Sequence, residues 1–177
     1  MVEIYDNVIP QDILNDTYYY LRHEHGWHFS KDDYTPNKAI EAKNPITLGT
    51  GRLLDDFELY HFSLLNILEQ NGWDISRIGR SLTNCFRKGD NPQYHRDCWL
   101  KDGELNRTFI FYPNLIWKEE WGAHTKIKIP GKKVKKIYTK PGRLIVFDGR
   151  LLHTGTRCTK KMPDYIPGRF SIAFQEG

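Results

Sequence analysis

Cysteine is scarce in this chain: Cys85, Cys98 and Cys158 are the three in 177 residues. The number is odd and no pair has CxxC spacing, which argues against a disulfide framework or a thiolate zinc site. Reduced thiols fit a cytoplasmic location. No apolar run approaches the roughly 20 residues that a membrane helix requires. The opening MVEIYDNVIPQDIL lacks a basic region followed by an apolar stretch, so neither a membrane span nor a signal peptide is expected. Repeats, low-complexity tracts and Pro/Ser linkers are absent too. With no boundary to draw, residues 1–177 are expected to form a single domain. Charge of one sign is only slightly in excess, and a net +4 permits an acidic partner without demanding one.

Aromatics, by contrast, are plentiful at 14%, and they favour strands. A helix is expected from Pro10 to about His23, where Ile13, Leu14, Thr17, Tyr18 and Leu21 recur at helical spacing. A second is expected from Asp56 to Gln70, with Phe57, Tyr60, Leu64, Leu65 and Leu68 as its stripe and Asn71-Gly72 as its stop. Between them, Ser30–Gly51 reads as a long loop, a candidate lid. Beyond Gly72 the pattern turns to short strands: Ser81–Phe86, Gln93–Trp99, Arg107–Tyr112, His124–Ile129, Val134–Tyr138, Arg143–Phe147, Leu151–Gly155 and Arg169–Gln175. The expected class is mostly β, a sandwich or barrel with flanking N-terminal helices outside its sheets.

The chemistry concentrates in Tyr94-His95-Arg96-Asp97. In a strand, His95 and Asp97 would present an imidazole and a carboxylate on one face. One more histidine would complete a two-His, one-carboxylate set, which caps one face of an octahedral metal and leaves positions open. Beyond the second helix the other histidines are His124 and His153. His153 follows the apolar run of PGRLIVFDGRLLH. An imidazole emerging there needs a polar partner, and a metal is one such partner. Sixteen residues on, Arg169-Phe170-Ser171 places a guanidinium and a hydroxyl on one face. That pair suits a carboxylate gripped by two parallel hydrogen bonds.

In this order, HxD, then PGRLIVFDGRLLHTGTR, then RFS resembles the 2-oxoglutarate/Fe(II) oxygenase superfamily, in particular its small prolyl-4-hydroxylase-like members. Phe86-Arg-Lys-Gly89-Asp90 resembles the strand and turn before the HxD. Arg107 to Tyr112 followed by Glu120-Trp121-Gly122 resembles the next strand and its turn, and Ile4 to Pro10 the approach to the first helix. The resemblance implies a double-stranded β-helix, or jelly roll. It implies His95, Asp97 and His153 as iron ligands and catalytic centre, and Arg169 with Ser171 as the grip on 2-oxoglutarate. Fe(II), 2-oxoglutarate and O₂ would be required, with ascorbate a candidate reductant. The implied reaction is C–H hydroxylation coupled to succinate formation, on a peptidyl proline or another protein or small-molecule substrate. Two positions depart from the family pattern: Phe86 stands where a tyrosine is common, and Gly122-Ala123-His124 where Gly-Gly-Glu is common.

Other features have plainer readings. His23, His25 and His28 offer an HxH pattern that can bind zinc on a strand, but here they fall at an expected helix end beside Gly26, where cationic groups suit the dipole and surface histidines are the plainer reading. His124 is either a pocket residue touching substrate or a rim residue. The lysines from Lys126 to Lys140 form either a basic docking hairpin or an edge protected against pairing. Trp99, Trp117 and Trp121 line a groove or fill core, and Cys98 points away from Asp97. Two alternatives stay open: an oxidative demethylase of nucleic-acid bases, and a catalytically silent jelly-roll binding module. Gln175, where base demethylases usually carry a second arginine, counts against a nucleic-acid substrate.

Overall fold

A computed structural model describes residues 1–23, 48–53, 59–90, 92–97 and 106–176, with backbone alone at 48–53 and 59. Helix α1 spans Gln11–His23 and α2 spans Leu59–Gln70. Pro10 sits just before α1, where its carbonyl accepts from Leu14 N–H at 2.9 Å and its missing donor costs nothing. Asp12 in the first turn and Arg22 and His23 in the last complement the helix dipole. Gly72 ends α2 at φ +83°, a conformation that an L side chain resists. The neighbouring Trp73 N–H then bonds back to Leu68 at 3.0 Å. No helix among the described residues is long and apolar enough to cross a membrane.

Among the described residues, nine strands form mostly antiparallel sheets: β1 Val2–Tyr5, β2 Leu48–Leu53, β3 Ile78–Phe86, β4 Arg107–Phe111, β5 Thr125–Ile127, β6 Lys135–Ile137, β7 Leu144–Asp148, β8 His153–Gly155 and β9 Arg169–Glu176. Six of them pair in the order β1-β7-β4-β9-β3-β2, and three in the order β6-β5-β8. Strand alternation sorts the large sheet's side chains. Phe109, Phe111, Leu144, Val146, Phe170, Ile172 and Phe174 meet Leu14, Tyr18, Leu21, Leu64 and Leu68 of the helices in one core. The opposite parity (Leu82, Ile110, Tyr112, Ile145, Phe147, Ala173) meets Ile127 and Ile137 of the small sheet in a second core. Arg169 and Ser171 share the parity of Ala173, so they face the space between the sheets.

Three expectations need correction. The helices do not simply precede the sheets, because β1 comes before α1 and β2 lies between α1 and α2. Leu48–Gly51, expected as the end of a loop, is strand paired to β3; residues 30–47, and with them the rest of the candidate lid, lie outside the described residues, as do Phe57, His25, His28, Cys98 and Trp99. Gln93 to Asp97 is not a regular strand. His95 makes an isolated antiparallel bridge to His153 instead. Trp117 and Trp121 fill a small buried cluster with Ala123, Cys158, Met162 and Ile166 rather than line a groove.

Leu64 is fully buried where α2 crosses the large sheet. Leu64→Ala removes its contacts and leaves a cavity, so a loss of about 2–5 kcal/mol is expected in urea denaturation. A loss below about 1 kcal/mol would mean that the helix is not anchored there.

Candidate metal centre

Two stretches of backbone build the centre. His95 N–H donates to His153 O and His153 N–H to His95 O, both at 2.9 Å, and Asp97 N–H donates to Gly149 O at 2.9 Å. The Asp148-Gly149 turn before β8 thus holds the HxD segment beside His153. Among the described residues, one group of candidate metal-binding side chains comes together: His95, Asp97 and His153, each offering an atom within 4.8 Å of the others. Asp97 Oδ1 lies 3.4 Å from His95 Nε2, and its Oδ2 lies 3.4 Å from His153 Nε2.

The surroundings fix which atoms face inward. His153 Nδ1 is 2.9 Å from Leu151 O, and His95 Nδ1 is 3.1 Å from Gln93 O. A carbonyl only accepts, so each Nδ1 carries the proton and each Nε2 keeps a lone pair. Thr108 Oγ1 donates to Asp97 Oδ2 at 2.7 Å and holds the carboxylate from behind. Burial alone would raise the Asp97 carboxyl, but the two imidazoles and Thr108 outweigh it and hold it below the usual range. Burial, with His95 alongside, pushes the His153 imidazole down, against the opposing pull of Asp97. A neutral imidazole and an ionised carboxylate are the forms that bind a metal. Two nitrogens and one oxygen on one side, with His95 half-exposed on the other, make a donor set that can hold a metal ion with positions left open.

Arg169 lies between the sheets, 1% exposed. Its guanidinium carbon is 4.3 Å from the Phe86 ring centroid and 5.1 Å from that of Tyr112. Its Nε has no hydrogen-bond partner, and among the described residues no carboxylate pairs with it. Burial lowers its pKa from the ordinary arginine value. A buried cation without a counter-ion is costly, so the site fits an incoming carboxylate. Gly155, next but one to His153 on β8, leaves it room: a Cβ there would stand 2.8 Å from Arg169 Nη2 and 3.0 Å from Phe86 Cζ. Ser171, also buried, is two residues along β9 on the same face.

Two hydroxyl groups beside Arg169 escape sequence reasoning. Tyr112 is fully buried, and its phenol is 2.6 Å from Thr125 Oγ1. A phenol absent at Phe86 is thus present on the far side of β9, at the end of β4. The signal lay in strand parity, since Thr108, Ile110 and Tyr112 alternate with Phe109 and Phe111. His124, in contrast, does not enter this space. Thr125 and Ile127 face inward, so His124 falls on the reverse of β5, where its ring packs edge-on against Tyr138 at 4.6 Å. Burial between cationic neighbours, Lys136 above all, lowers its pKa to about 4.

No protein-family model matches the sequence, and no curated protein matches it. Solved structures do match. A Pseudomonas putida prolyl-4-hydroxylase superposes with a TM-score of 0.69 at 13% identity, over 99% of this chain and 91% of that one. A Trichoplax adhaerens prolyl hydroxylase, solved in complex with a hypoxia inducible factor oxygen degradation domain peptide fragment, gives 0.67 at 14% identity, over 99% and 82%. A Phytophthora capsici prolyl 4-hydroxylase gives 0.63 at 13%, over 99% of this chain and 58% of that one. At such identities the likeness is one of architecture, and the chain has the fold of these prolyl hydroxylases.

Proposed function

We propose that this chain is an Fe(II)- and 2-oxoglutarate-dependent dioxygenase that hydroxylates a C–H bond, built as one jelly-roll domain over residues 1–177. The observation that carries this reading is a juxtaposition. A His95–Asp97–His153 donor set and a buried arginine lacking a carboxylate partner open onto the same space between two sheets.

In this reading His95 Nε2, Asp97 and His153 Nε2 hold the iron. Arg169 takes the distal carboxylate of 2-oxoglutarate, with Ser171 and the Tyr112–Thr125 hydroxyl pair as further donors. When bound, iron and 2-oxoglutarate would supply oxidation by O₂: one oxygen atom would pass to the keto acid, which loses CO₂ to become succinate, and the other to a substrate C–H, which becomes C–OH. The chain's own part is placement. The Leu151 and Gln93 carbonyls orient the imidazoles, Thr108 holds the Asp97 carboxylate, and Phe86 and Tyr112 keep water from the guanidinium. The Trichoplax neighbour's peptide complex supports a peptidyl substrate, a proline among the candidates, and a cytoplasmic setting fits the reduced thiols.

The deciding experiment is an anaerobic titration of the purified protein with Fe(II) and 2-oxoglutarate, followed in the visible region. A charge-transfer band that needs both components is the expected result. Its absence, with iron shown to bind, would remove 2-oxoglutarate from the reading. If iron fails to bind at all, the metal assignment goes too.

A further inference from the structure

From Trp121 to Phe147 the chain has no Asp or Glu, yet seven lysines fall between Lys126 and Lys140. Two are accounted for. Lys140 Nζ is 2.9 Å from Asp6 Oδ2, and Lys135 Nζ donates to the Val2 carbonyl at 3.3 Å. Lys126, Lys128, Lys132, Lys133 and Lys136 have no carboxylate partner among the described residues.

The register gathers them. Lys126 is directly opposite Lys136 across β5 and β6, and Thr154 of β8 flanks Lys126 on its other side. Ile127 and its partner His153 face the interior, so this Lys126–Lys136 pair lies on the outer face of the small sheet. Like charges directly opposite one another weaken a strand pair. Protection of an exposed edge explains a lysine on β6, the outermost strand. It does not explain Lys126, because β5 is paired on both sides. No carboxylate among the described residues pairs with either lysine, whereas a bound polyanion would offset the repulsion.

The same face carries two exposed tyrosines. Lys128 Nζ is 4.2 Å from the ring centroid of Tyr94, and Lys136 Nζ is 4.7 Å from that of Tyr138. These ammonium groups occupy the ring faces on which an unpaired base would stack. The hairpin also holds lysines and no arginine between Lys126 and Lys140, so it lacks the planar fork that suits phosphates. Mobile point charges on flexible stems suit carboxylates spread along a polypeptide. We propose that the outer face of the β6-β5-β8 sheet is a docking surface for an acidic polypeptide segment. Lys126, Lys128 and Lys136 form its centre, and Lys132 and Lys133 extend it at the hairpin tip.

The surface adjoins the candidate metal centre. Lys128 follows Ile127, whose Cα partner is His153, and Tyr94 precedes His95, with neighbouring strands about 5 Å apart. The charge and register of this face do not depend on the oxygenase reading. Under that reading the surface holds the acidic flank of a protein substrate.

The test uses the full-length protein without metal, so that failure of the metal assignment leaves its outcome untouched. The probes are a fluorescein-labelled oligoglutamate peptide and an oligothymidylate of matched charge, followed by anisotropy at low salt. The peptide is expected to bind saturably and more tightly than the oligonucleotide. The triple variant Lys126→Glu/Lys128→Glu/Lys136→Glu should weaken it by about tenfold or more and flatten its salt dependence. Reversal outside the sheet, in Lys160→Glu/Lys161→Glu, should change it by much less. Should the triple variant fail to fold, Lys126→Gln/Lys136→Gln gives the same comparison with a smaller loss, at an unchanged melting temperature. Absence of saturable binding, equal losses in both sets of reversals, or tighter binding of the oligonucleotide would each overturn the proposal.

Discussion

Asp97→Ala is expected to abolish conversion of 2-oxoglutarate to succinate while leaving the protein folded. The carboxylate is the sole anion of the cluster, with Oδ1 3.4 Å from His95 Nε2 and Oδ2 3.4 Å from His153 Nε2. Without it, two neutral imidazoles remain, and neither offsets a divalent charge. Turnover should fall by about 10²-fold or more, beyond the 10–100-fold typical of losing an outer-shell partner. The free protein should tolerate the change, because among the described residues the Asp97 carboxylate interacts inside the cluster and with Thr108. A melting experiment separates the two effects. A ligand at a hundred times its Kd stabilises by about 2.7 kcal/mol, which in a chain of this size is roughly 5–10 °C. Wild type should show that rise with Mn(II), a probe that does not turn over, and Asp97→Ala should not. His153→Ala should behave likewise. An equal Mn(II) shift in both variants and wild type would locate the metal elsewhere.

The lowered pKa of His153 adds a pH dependence to this result. Protons compete with the metal for Nε2, and a depressed pKa means that they compete only at more acid pH. The Mn(II) shift should therefore persist below the pH at which an ordinary imidazole protonates, and it should be lost as the pH falls through the His153 range.

The large elements were legible because their periodicity is strong. In α1, Leu14, Thr17, Tyr18 and Leu21 are buried, and β9 alternates so cleanly that Phe170, Ile172 and Phe174 could be told from Arg169 and Ser171. The misses share a physical cause. Val2–Tyr5 and Leu48–Leu53 are edge strands of the large sheet. An edge strand gains its conformation from the neighbour it pairs with, here β7 and β3, so its own residues carry little pattern. Leu48–Leu53 even contains two glycines, which read locally as loop.

The cluster itself was legible by residue type more than by geometry. Alternation in a strand was the reason to put His95 and Asp97 side by side, yet the chain meets that requirement without a strand. Reciprocal hydrogen bonds to His153 and one to Gly149 set the segment instead, and no local pattern encodes bonds to residues more than 50 positions away. Tyr112 was missed for a related reason. Its phenol lies across β9 from Phe86, so only the pairing of β4 with β9, and no local motif, ties it to the Arg169 guanidinium.

Arg169→Met is expected to cripple 2-oxoglutarate use while leaving the free protein as stable as before, or more so. In the free protein the guanidinium is buried, its Nε has no partner, and only the faces of Phe86 and Tyr112 compensate it. Replacing an uncompensated buried charge by an apolar side chain of similar length removes a desolvation penalty larger than the cation–π contacts return. The melting temperature of the metal-free protein should therefore hold or rise. Loss of a buried charge-assisted pair with the co-substrate costs about 3 kcal/mol or more, hence a rise of about 10²-fold in KM for 2-oxoglutarate. Arg169→Lys keeps the charge but loses the planar fork, so it should fall between. Gly155→Ala reaches the same end from the other side, since its Cβ would stand 2.8 Å from Nη2 and displace the guanidinium. It should raise KM while the Mn(II) shift is retained. A structural arginine would show the opposite pattern, with the melting temperature of Arg169→Met falling and KM nearly unchanged. Such a buried cation is less stable alone than its apolar substitute, and what keeps it there is the anion it receives.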